Sequence, residues 1–124
     1  MTVLVAYHAS PHGEAAVRTA LEESQSRDVP LHVLVLDPQP ASDPTPAELA
    51  ALLGAGEVAV TYRGEHTEPA DAILDTADEV GATLVVVGSR KRSSQGTFLM
   101  GSTTQRVLLD ASVPVLVVKD VYDA

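Results

Sequence analysis

The sequence predicts an α/β protein, built on an open, doubly wound sheet of five parallel strands with helices on both faces. Five short apolar runs are spread along the 124 residues, and amphipathic stretches with helical spacing separate them. That order is typical of β-α-β units. Several runs are apolar at nearly every position, as in strands buried on both faces. The length suits one domain, residues 1–124, and no internal repeat is evident.

The first predicted strand is the run Thr2–Tyr7, and a helix follows it. Ser10 is a favourable N-cap, and Pro11 occupies the first helical position, where its missing N–H is not needed. An apolar stripe with helical spacing continues to the polar residues near Arg27. The second predicted strand is Leu31–Leu36, because this run is again almost entirely apolar.

The middle of the chain predicts a short helix, a strand near an edge of the sheet and a longer helix. The short helix covers Ala47–Leu53. From Val58 to Tyr62 larger apolar residues alternate with smaller or polar ones, so this strand should be half exposed. The longer helix begins near Pro69, buries one apolar face and ends at Gly81.

The last third predicts the strand Thr83–Val87, a helix over about residues 102–110 and the strand Val115–Lys119. In doubly wound sheets, ligands bind beyond the carboxyl ends of the strands, where the strand order reverses. The loops best equipped for that place follow the first and the fourth strand. We therefore expect these two loops to meet at one switch point.

One long window of the sequence is free of acidic residues. None of the 17 Asp and Glu residues lies between Val80 and Leu109, whereas four of the eight basic residues do. A glycine-containing loop with a solvated charge run, Arg90 to Arg92, is one interpretation. The other is an anion cradle of backbone N–H groups, basic side chains and a helix N-terminus. The missing acids favour the cradle, although the GxxxxGK[ST] phosphate loop is absent.

Composition excludes several classes of function. The chain has no cysteine, which excludes disulfides, thiolate catalysis and cysteine-based metal sites. A net charge of −9 disfavours nucleic acid and anionic membranes as partners and would suit a high-salt cytoplasm. No run approaches the roughly 20 apolar residues of a membrane-spanning helix, and no basic leader opens the chain. We therefore expect an acidic, soluble, cytoplasmic protein.

From Val85 onward the sequence reads VVVGSRKRSSQGTFLMGSTTQRVLLDASVPVLVV. This stretch resembles the universal stress protein family, whose signature is Gly, two residues, Gly, nine residues, then Gly followed by Ser or Thr. The register falls on Gly88, Lys91 and Gly101-Ser102, so that a lysine replaces the second glycine. The similarity extends upstream to the first strand and its turn and to the start of the third helix, and it covers essentially the whole chain.

The resemblance implies a Rossmann-like fold of the adenine-nucleotide alpha hydrolase-like type, usually assembled as a homodimer. It also implies ATP or AMP as the ligand, with Mg²⁺ as an accompanying ion, and protein partners that the sequence does not name. The matching positions are Ala6 and Val35 for the adenine, His8 for the nucleoside, Val87 and Gly88 at the end of the fourth strand, and Gly101, Ser102, Thr103 and Thr104 for the phosphates, with Arg90, Lys91 and Arg92 as added charges.

Two departures from the family pattern leave two hypotheses open. Nucleotide-binding members carry an Asp where this chain has His8, although a histidine can still hydrogen-bond a ribose or a base. Lys91 makes a close backbone approach more costly than glycine would, yet its charge can bind phosphate. The first hypothesis is a stress-response protein that binds an adenine nucleotide. The alternative is a dimeric interaction module of the same family that binds none.

An enzyme is the third hypothesis and has the least support. No acid and histidine pair is placed to activate Ser93 or Ser94, so no catalytic residue is predicted. His8 and His12 are spaced four apart, as metal-binding helical pairs are. Pro11 lies between them at a turn and no third ligand is evident, so we expect no metal site.

The last predicted strand has an apolar edge formed by Val115, Leu116, Val117 and Val118. A bare edge of this kind invites aggregation, so it should be covered. The C-terminal tail is one candidate cover, and the same strand of a second copy is the other. We favour the homodimer, which the family resemblance also implies.

Overall fold

The computed structural model describes residues 1–37, 47–54, 58–89 and 101–119. The strands are β1 (Thr2–Tyr7), β2 (Leu31–Val35), β3 (Ala59–Tyr62), β4 (Ala82–Ser89) and β5 (Val115–Lys119), and the helices are α1 (Pro11–Arg27), α2 (Ala47–Leu53), α3 (Pro69–Val80) and α4 (Ser102–Asp110). The predicted α/β class and order of elements are confirmed. Within these ranges, no helix is long and apolar enough to cross a membrane.

The five strands form one parallel sheet in the order β3-β2-β1-β4-β5. The chain builds outward from β1 to β3 and then returns to place β4 on the other side of β1. The strand order therefore reverses between β1 and β4, where the two predicted loops were expected to meet. The prediction that β3 lies near an edge is also confirmed.

The sheet separates two apolar cores. Alternate residues of β1 face opposite sides, so Val3 and Val5 enter one core and Leu4 enters the other. This is why the run is apolar at every position rather than at every second one. Helices α1 and α2 cover the first core, and α3 and α4 cover the second. Burial of each such Val or Leu stabilises the fold by about 1.5–3 kcal/mol.

Capping residues define both ends of helix α1. Ser10 is the extended N-cap, with φ −168° and ψ 161°, and its Oγ accepts the N–H of Gly13 at 3.0 Å. Pro11 takes the first helical position. The helix ends at Asp28, whose φ of 54° is left-handed, and the Asp28 N–H donates to the carbonyl of Gln25 at 3.2 Å. The predicted start of α1 is confirmed.

Two glycines let the first turn of α1 lie directly on the sheet. A Cβ atom added at Gly13 would overlap the carbonyl oxygen of His8, at the end of β1. A Cβ atom added at Gly88, near the end of β4, would overlap the carbonyl oxygen of His12, in the first turn of α1. Neither glycine is needed for a left-handed φ; both are needed because backbone approaches backbone.

The strand ends differ from the predicted ones by one or two residues. β4 continues past Val87 to Ser89, because Ser89 pairs with Lys119 and its hydroxyl donates to the carbonyl of Val118 at 3.3 Å. β2 ends at Val35 rather than at the predicted Leu36.

We expect Gly13→Ala to destabilise the protein by about 1–3 kcal/mol, because the new methyl group overlaps the His8 carbonyl. Alanine is favoured over glycine inside a helix by about 1 kcal/mol, but a backbone oxygen cannot rotate away, so the overlap outweighs this gain. Urea unfolding measures the change. The control is Gly64→Ala, whose Cβ would meet only the Thr67 side chain, with the hydroxyl at 3.1 Å. Equal effects of the two substitutions would contradict the proposed contact.

We expect Tyr7→Phe to stabilise the protein by about 1 kcal/mol. The Tyr7 side chain is fully buried, and its hydroxyl has no hydrogen-bond partner among the described residues. Burial raises the Tyr7 pKa, and the charges of Glu14, Glu48 and Asp37 raise it further. Phenylalanine removes the desolvated hydroxyl and keeps the ring.

The matched comparison for Tyr7→Phe is Ser24→Ala, because the buried Ser24 hydroxyl donates to the Leu21 carbonyl at 3.0 Å. Loss of that satisfied hydroxyl should destabilise the fold by about 0.5–1.5 kcal/mol. Thermal unfolding of both variants provides the measurement, and a lower melting temperature for Tyr7→Phe than for the wild type would show the expectation to be wrong.

Candidate functional site

A cleft of about 280 Å³ lies at the switch point, beyond the carboxyl ends of β1 and β4. Its size is near the lower end for ligand pockets. Five elements and the chain just after β2 contribute to it. The lining residues are Ala6, His8, His12, Gly13, Leu36, Asp37, Pro69, Ile73, Val87, Gly88, Gly101, Ser102, Thr103 and Thr104.

Most of the predicted site residues come together in this cleft. Those from β1 and β4 are Ala6, His8, Val87 and Gly88, and those from the start of α4 are Gly101, Ser102, Thr103 and Thr104. Arg90, Lys91 and Arg92 lie outside the described residues, so their predicted role stays a prediction. Proximity alone assigns no function to the others.

Val35 is the one residue predicted for the nucleotide site, within the described ranges, that does not line the cleft. Its side chain is fully buried in the core under α1 and α2, and its carbonyl accepts the N–H of Arg63 at 2.9 Å. The following residue, Leu36, is at the cleft instead. Because successive side chains of a strand point to opposite faces, a shift of one residue exchanges core for pocket.

The cleft has apolar walls and a polar rim. Ala6 and Val87 come from adjacent strands, and Ile73 faces them from α3. The rim carries the hydroxyls at the start of α4, both histidines and the carboxylate of Asp37. Such an arrangement can hold a flat apolar group on the walls and orient a polar extension at the rim.

Helix α4 begins at the cleft with Gly101 as its N-cap. Gly101 is extended, with φ −68° and ψ 160°, and no side chain within the described part of the chain caps the helix. The first N–H groups of an α-helix have no intrahelical acceptor, and the helix dipole adds about half a positive charge there. The start of α4 therefore offers donors and positive potential to an anion.

Thr104 is buried, and its hydroxyl already donates a hydrogen bond within the protein. The Thr104 hydroxyl donates to the carbonyl of Gly88 at 3.3 Å, which ties α4 to the end of β4. Ser102 is exposed and Thr103 half-buried, so their hydroxyls are the accessible ones on this turn.

His8 and His12 face each other across the β1–α1 turn. Their Nε2 atoms are 2.7 Å apart, and their rings meet edge to face with centroids 4.5 Å apart. Since a lone pair must meet an N–H at this distance, one Nε2 carries a hydrogen and the other accepts it. The Ser10 hydroxyl is 3.5 Å from His8 Nε2. His8, predicted as a ligand contact, has its Nε2 directed at a second histidine.

Asp37 was not among the predicted site residues. Its Oδ2 accepts the N–H of Ala9 at 2.8 Å, which holds the β1–α1 turn against the end of β2. A usable signal was present in the sequence, because Asp37 comes directly after an apolar strand and must lie at the same sheet edge as His8. The cleft therefore contains a carboxylate, although the residue that follows β1 is a histidine.

Arg106, the fourth basic residue of the acid-free window, belongs to a different contact. It lies on the exposed side of α4, where its guanidinium pairs with Asp71 of α3 and lies 3.6 Å from Asp110. The hydrogen bond and charge of Asp71 are the main reason that the Arg106 pKa is raised. This arginine joins two helices and does not supply positive potential to the cleft.

Comparisons of this chain with known proteins agree on one family. Residues 45–119 match the universal stress protein family. A universal stress protein of Mycolicibacterium smegmatis is 33% identical over 125 residues, which cover 94% of this chain and 96% of the relative.

Solved structures show the same likeness. A universal stress protein in complex with cAMP is 26% identical with a TM-score of 0.71, covering 97% of each chain. A universal stress protein from Archaeoglobus fulgidus in complex with dAMP is 28% identical with a TM-score of 0.66, covering 96% of this chain and 98% of the other. From its sequence match, its full-length relative and its fold, this chain belongs to the universal stress protein family.

Proposed function

We propose that this chain binds an adenine nucleotide in the switch-point cleft and passes its occupancy to protein partners, as a cytoplasmic stress-response protein without catalysis of its own. The observation that carries the proposal is the cleft itself, which joins apolar walls to the open start of α4. Two structural neighbours with similar folds were solved in complex with dAMP and cAMP. Both ligands combine an adenine, a sugar and a phosphate.

The cleft offers a separate surface to each part of such a ligand. The walls formed by Ala6, Ile73 and Val87 suit the faces of the base, where apolar contact is favourable. The N–H groups at the start of α4 suit the phosphates, together with the hydroxyls of Ser102 and Thr103.

Mg²⁺ would reach this cleft mainly through the phosphates. It prefers oxygen ligands in a near-octahedral arrangement and usually keeps several waters. Asp37 is the one carboxylate in the described lining, and one of its oxygens already accepts the Ala9 N–H. In this proposal the protein positions the phosphates, and Mg²⁺ neutralises their charge.

A second candidate function is an interaction module of the same family that binds no nucleotide. The contact between His8 and His12 favours it, because the Nε2 that could reach a ribose is directed at another side chain. On this view the cleft holds no nucleotide, and the protein acts through contacts between its surface and other proteins. The two candidates differ in one measurable property, the presence of a bound nucleotide.

We expect protein purified without added nucleotide to release ATP, ADP or AMP when denatured, and the stripped protein to rebind ATP. Chromatography of the supernatant detects the first, and calorimetric titration in Mg²⁺ buffer measures the second. Absence of both release and rebinding would favour the interaction module.

The variant Ser102→Glu tests whether the nucleotide phosphates bind at the start of α4. A carboxylate in the first turn of α4 interacts favourably with the helix dipole but repels a phosphate, so ATP affinity should fall about ten-fold or more without loss of stability. Gln105→Glu is the control, since Gln105 is exposed on the same helix outside the cleft lining and receives the same charge. Equal affinities of the two variants would place the phosphates elsewhere.

We also propose that the protein is a homodimer that pairs through β5. This strand is an edge of the sheet, and the residues Val115 to Val118 are only half-buried in the single chain. Leu109, on the helix that precedes β5, leaves 81% of its surface exposed. A second copy would cover both the edge and nearby apolar surface.

Leu116→Lys should convert the dimer to a monomer, because pairing through β5 would bring a charged ammonium group from each copy into the interface while each lysine stem still covers the core. Val60→Lys is the matched control: Val60 is half-buried against the same core, on the opposite edge strand β3. Sedimentation velocity at micromolar concentration distinguishes the species. A monomeric wild type, or a dimeric Leu116→Lys variant, would contradict pairing through β5.

A further inference from the structure

We propose that His8 and His12 form a binding site for one divalent transition-metal ion, of the kind that imidazole prefers, such as Zn²⁺ or Ni²⁺. The ion would lie at the rim of the switch-point cleft, held by both Nε2 atoms. Water completes its coordination in the free protein. Completion by phosphate oxygens of a nucleotide rests on the proposed function, whereas binding of the ion itself does not.

The distance between the two nitrogens is close to what one metal ion requires. With metal–nitrogen bonds of about 2.0–2.1 Å, two histidine nitrogens are about 3 Å apart at the right angle of an octahedral ion and about 3.4 Å apart at the tetrahedral angle that zinc prefers. The observed Nε2–Nε2 distance is 2.7 Å. Small ring rotations open the pair to that separation. Both Nε2 atoms already point at each other, and the nitrogen that now carries the hydrogen would present its lone pair to the ion once its proton moves to Nδ1 or to solvent.

The two histidines come from different elements that are packed rigidly together. His8 follows β1, and His12 lies in the first turn of α1. Gly13 lies against the His8 carbonyl, and Gly88 lies against the His12 carbonyl. The Ser10 cap fixes the turn between them. A site whose ligands are held in place before binding loses less entropy when the ion arrives.

Pro11 lies between His8 and His12 in the sequence, yet it does not keep their side chains apart. It occupies the first helical position of α1, so the chain turns into the helix instead of extending past it. The turn brings His12 back over the end of β1. Pro11 and the missing third ligand argued against a metal site, whereas the contact between the two imidazoles argues for one.

The ligand set indicates the class of ion. Among the described residues, no third His, Cys, Asp or Glu joins this pair to form a metal-binding group. The proposed site is therefore open, with positions left for water or phosphate, unlike a closed structural zinc site. Mg²⁺ and Ca²⁺ prefer oxygen ligands, whereas imidazole suits Zn²⁺, Ni²⁺ and Cu²⁺.

The test is calorimetric titration of the nucleotide-free protein with Zn²⁺ alone. We expect one ion per chain for the wild type and a loss of about 100-fold or more in affinity for His12→Gln, since even removal of a group that only orients a ligand costs 10–100-fold. His66→Gln is the matched control, because His66 is exposed and lies outside the cleft lining. It should bind like the wild type. Equal Zn²⁺ affinity of His12→Gln and the wild type would overturn the proposal.

Co²⁺ provides a spectroscopic readout that does not depend on affinity alone. Binding to the two imidazoles should give visible ligand-field bands that are lost in both His8→Gln and His12→Gln, while circular dichroism shows that both variants remain folded. Bands that persist in either variant would overturn the proposal.

ATP titration in the presence of a chelator separates this inference from the proposed function. If ATP binds and Zn²⁺ does not, the proposed metal site is wrong and the proposed nucleotide site stands. Zn²⁺ binding to the wild type and its loss in His12→Gln support the metal site even where ATP does not bind.

Discussion

The arrangement of the cleft depends on the close contact between the first turn of α1 and the ends of β1 and β4. Two backbone carbonyls, those of His8 and His12, lie where the side chains of Gly13 and Gly88 would otherwise be. Because neither contact has a flexible side chain to yield, the positions of three elements are fixed relative to one another. The Ser10 cap and the Asp37 bond to the turn then fix the segment between β1 and α1.

Gly88 joins this contact to the opposite face of the sheet. Its missing side chain accommodates α1, and its carbonyl accepts the hydroxyl of Thr104 from α4. The starts of both helices are therefore positioned by one residue at the end of β4. Gly88, the first glycine of the family signature, is in this chain the junction of two helices and a strand. Packing against the His12 carbonyl is by itself enough to require a glycine there.

Periodicity predicts most of the fold because the central strands are buried on both faces and their runs are apolar at nearly every position. It cannot choose between neighbours at a strand end, which is why Val35 was expected in the cleft and Leu36 lies there. Sequence spacing also cannot show what a turn does, so the contact between His8 and His12 follows only from the fold. Arg106 belongs to the acid-free window, yet its partner Asp71 is distant in sequence and close in space.

The positive and negative charges that face the cleft nearly cancel. The protein carries a net charge of −9, and the described lining contains Asp37 but neither Lys nor Arg. The starts of α1 and α4 each contribute about half a positive charge, which together roughly offset one carboxylate. A cation held by His8 and His12, as proposed above, would then set the sign of the potential at the rim. Such an ion would make the cleft attractive to phosphate, because the opposing terms nearly cancel.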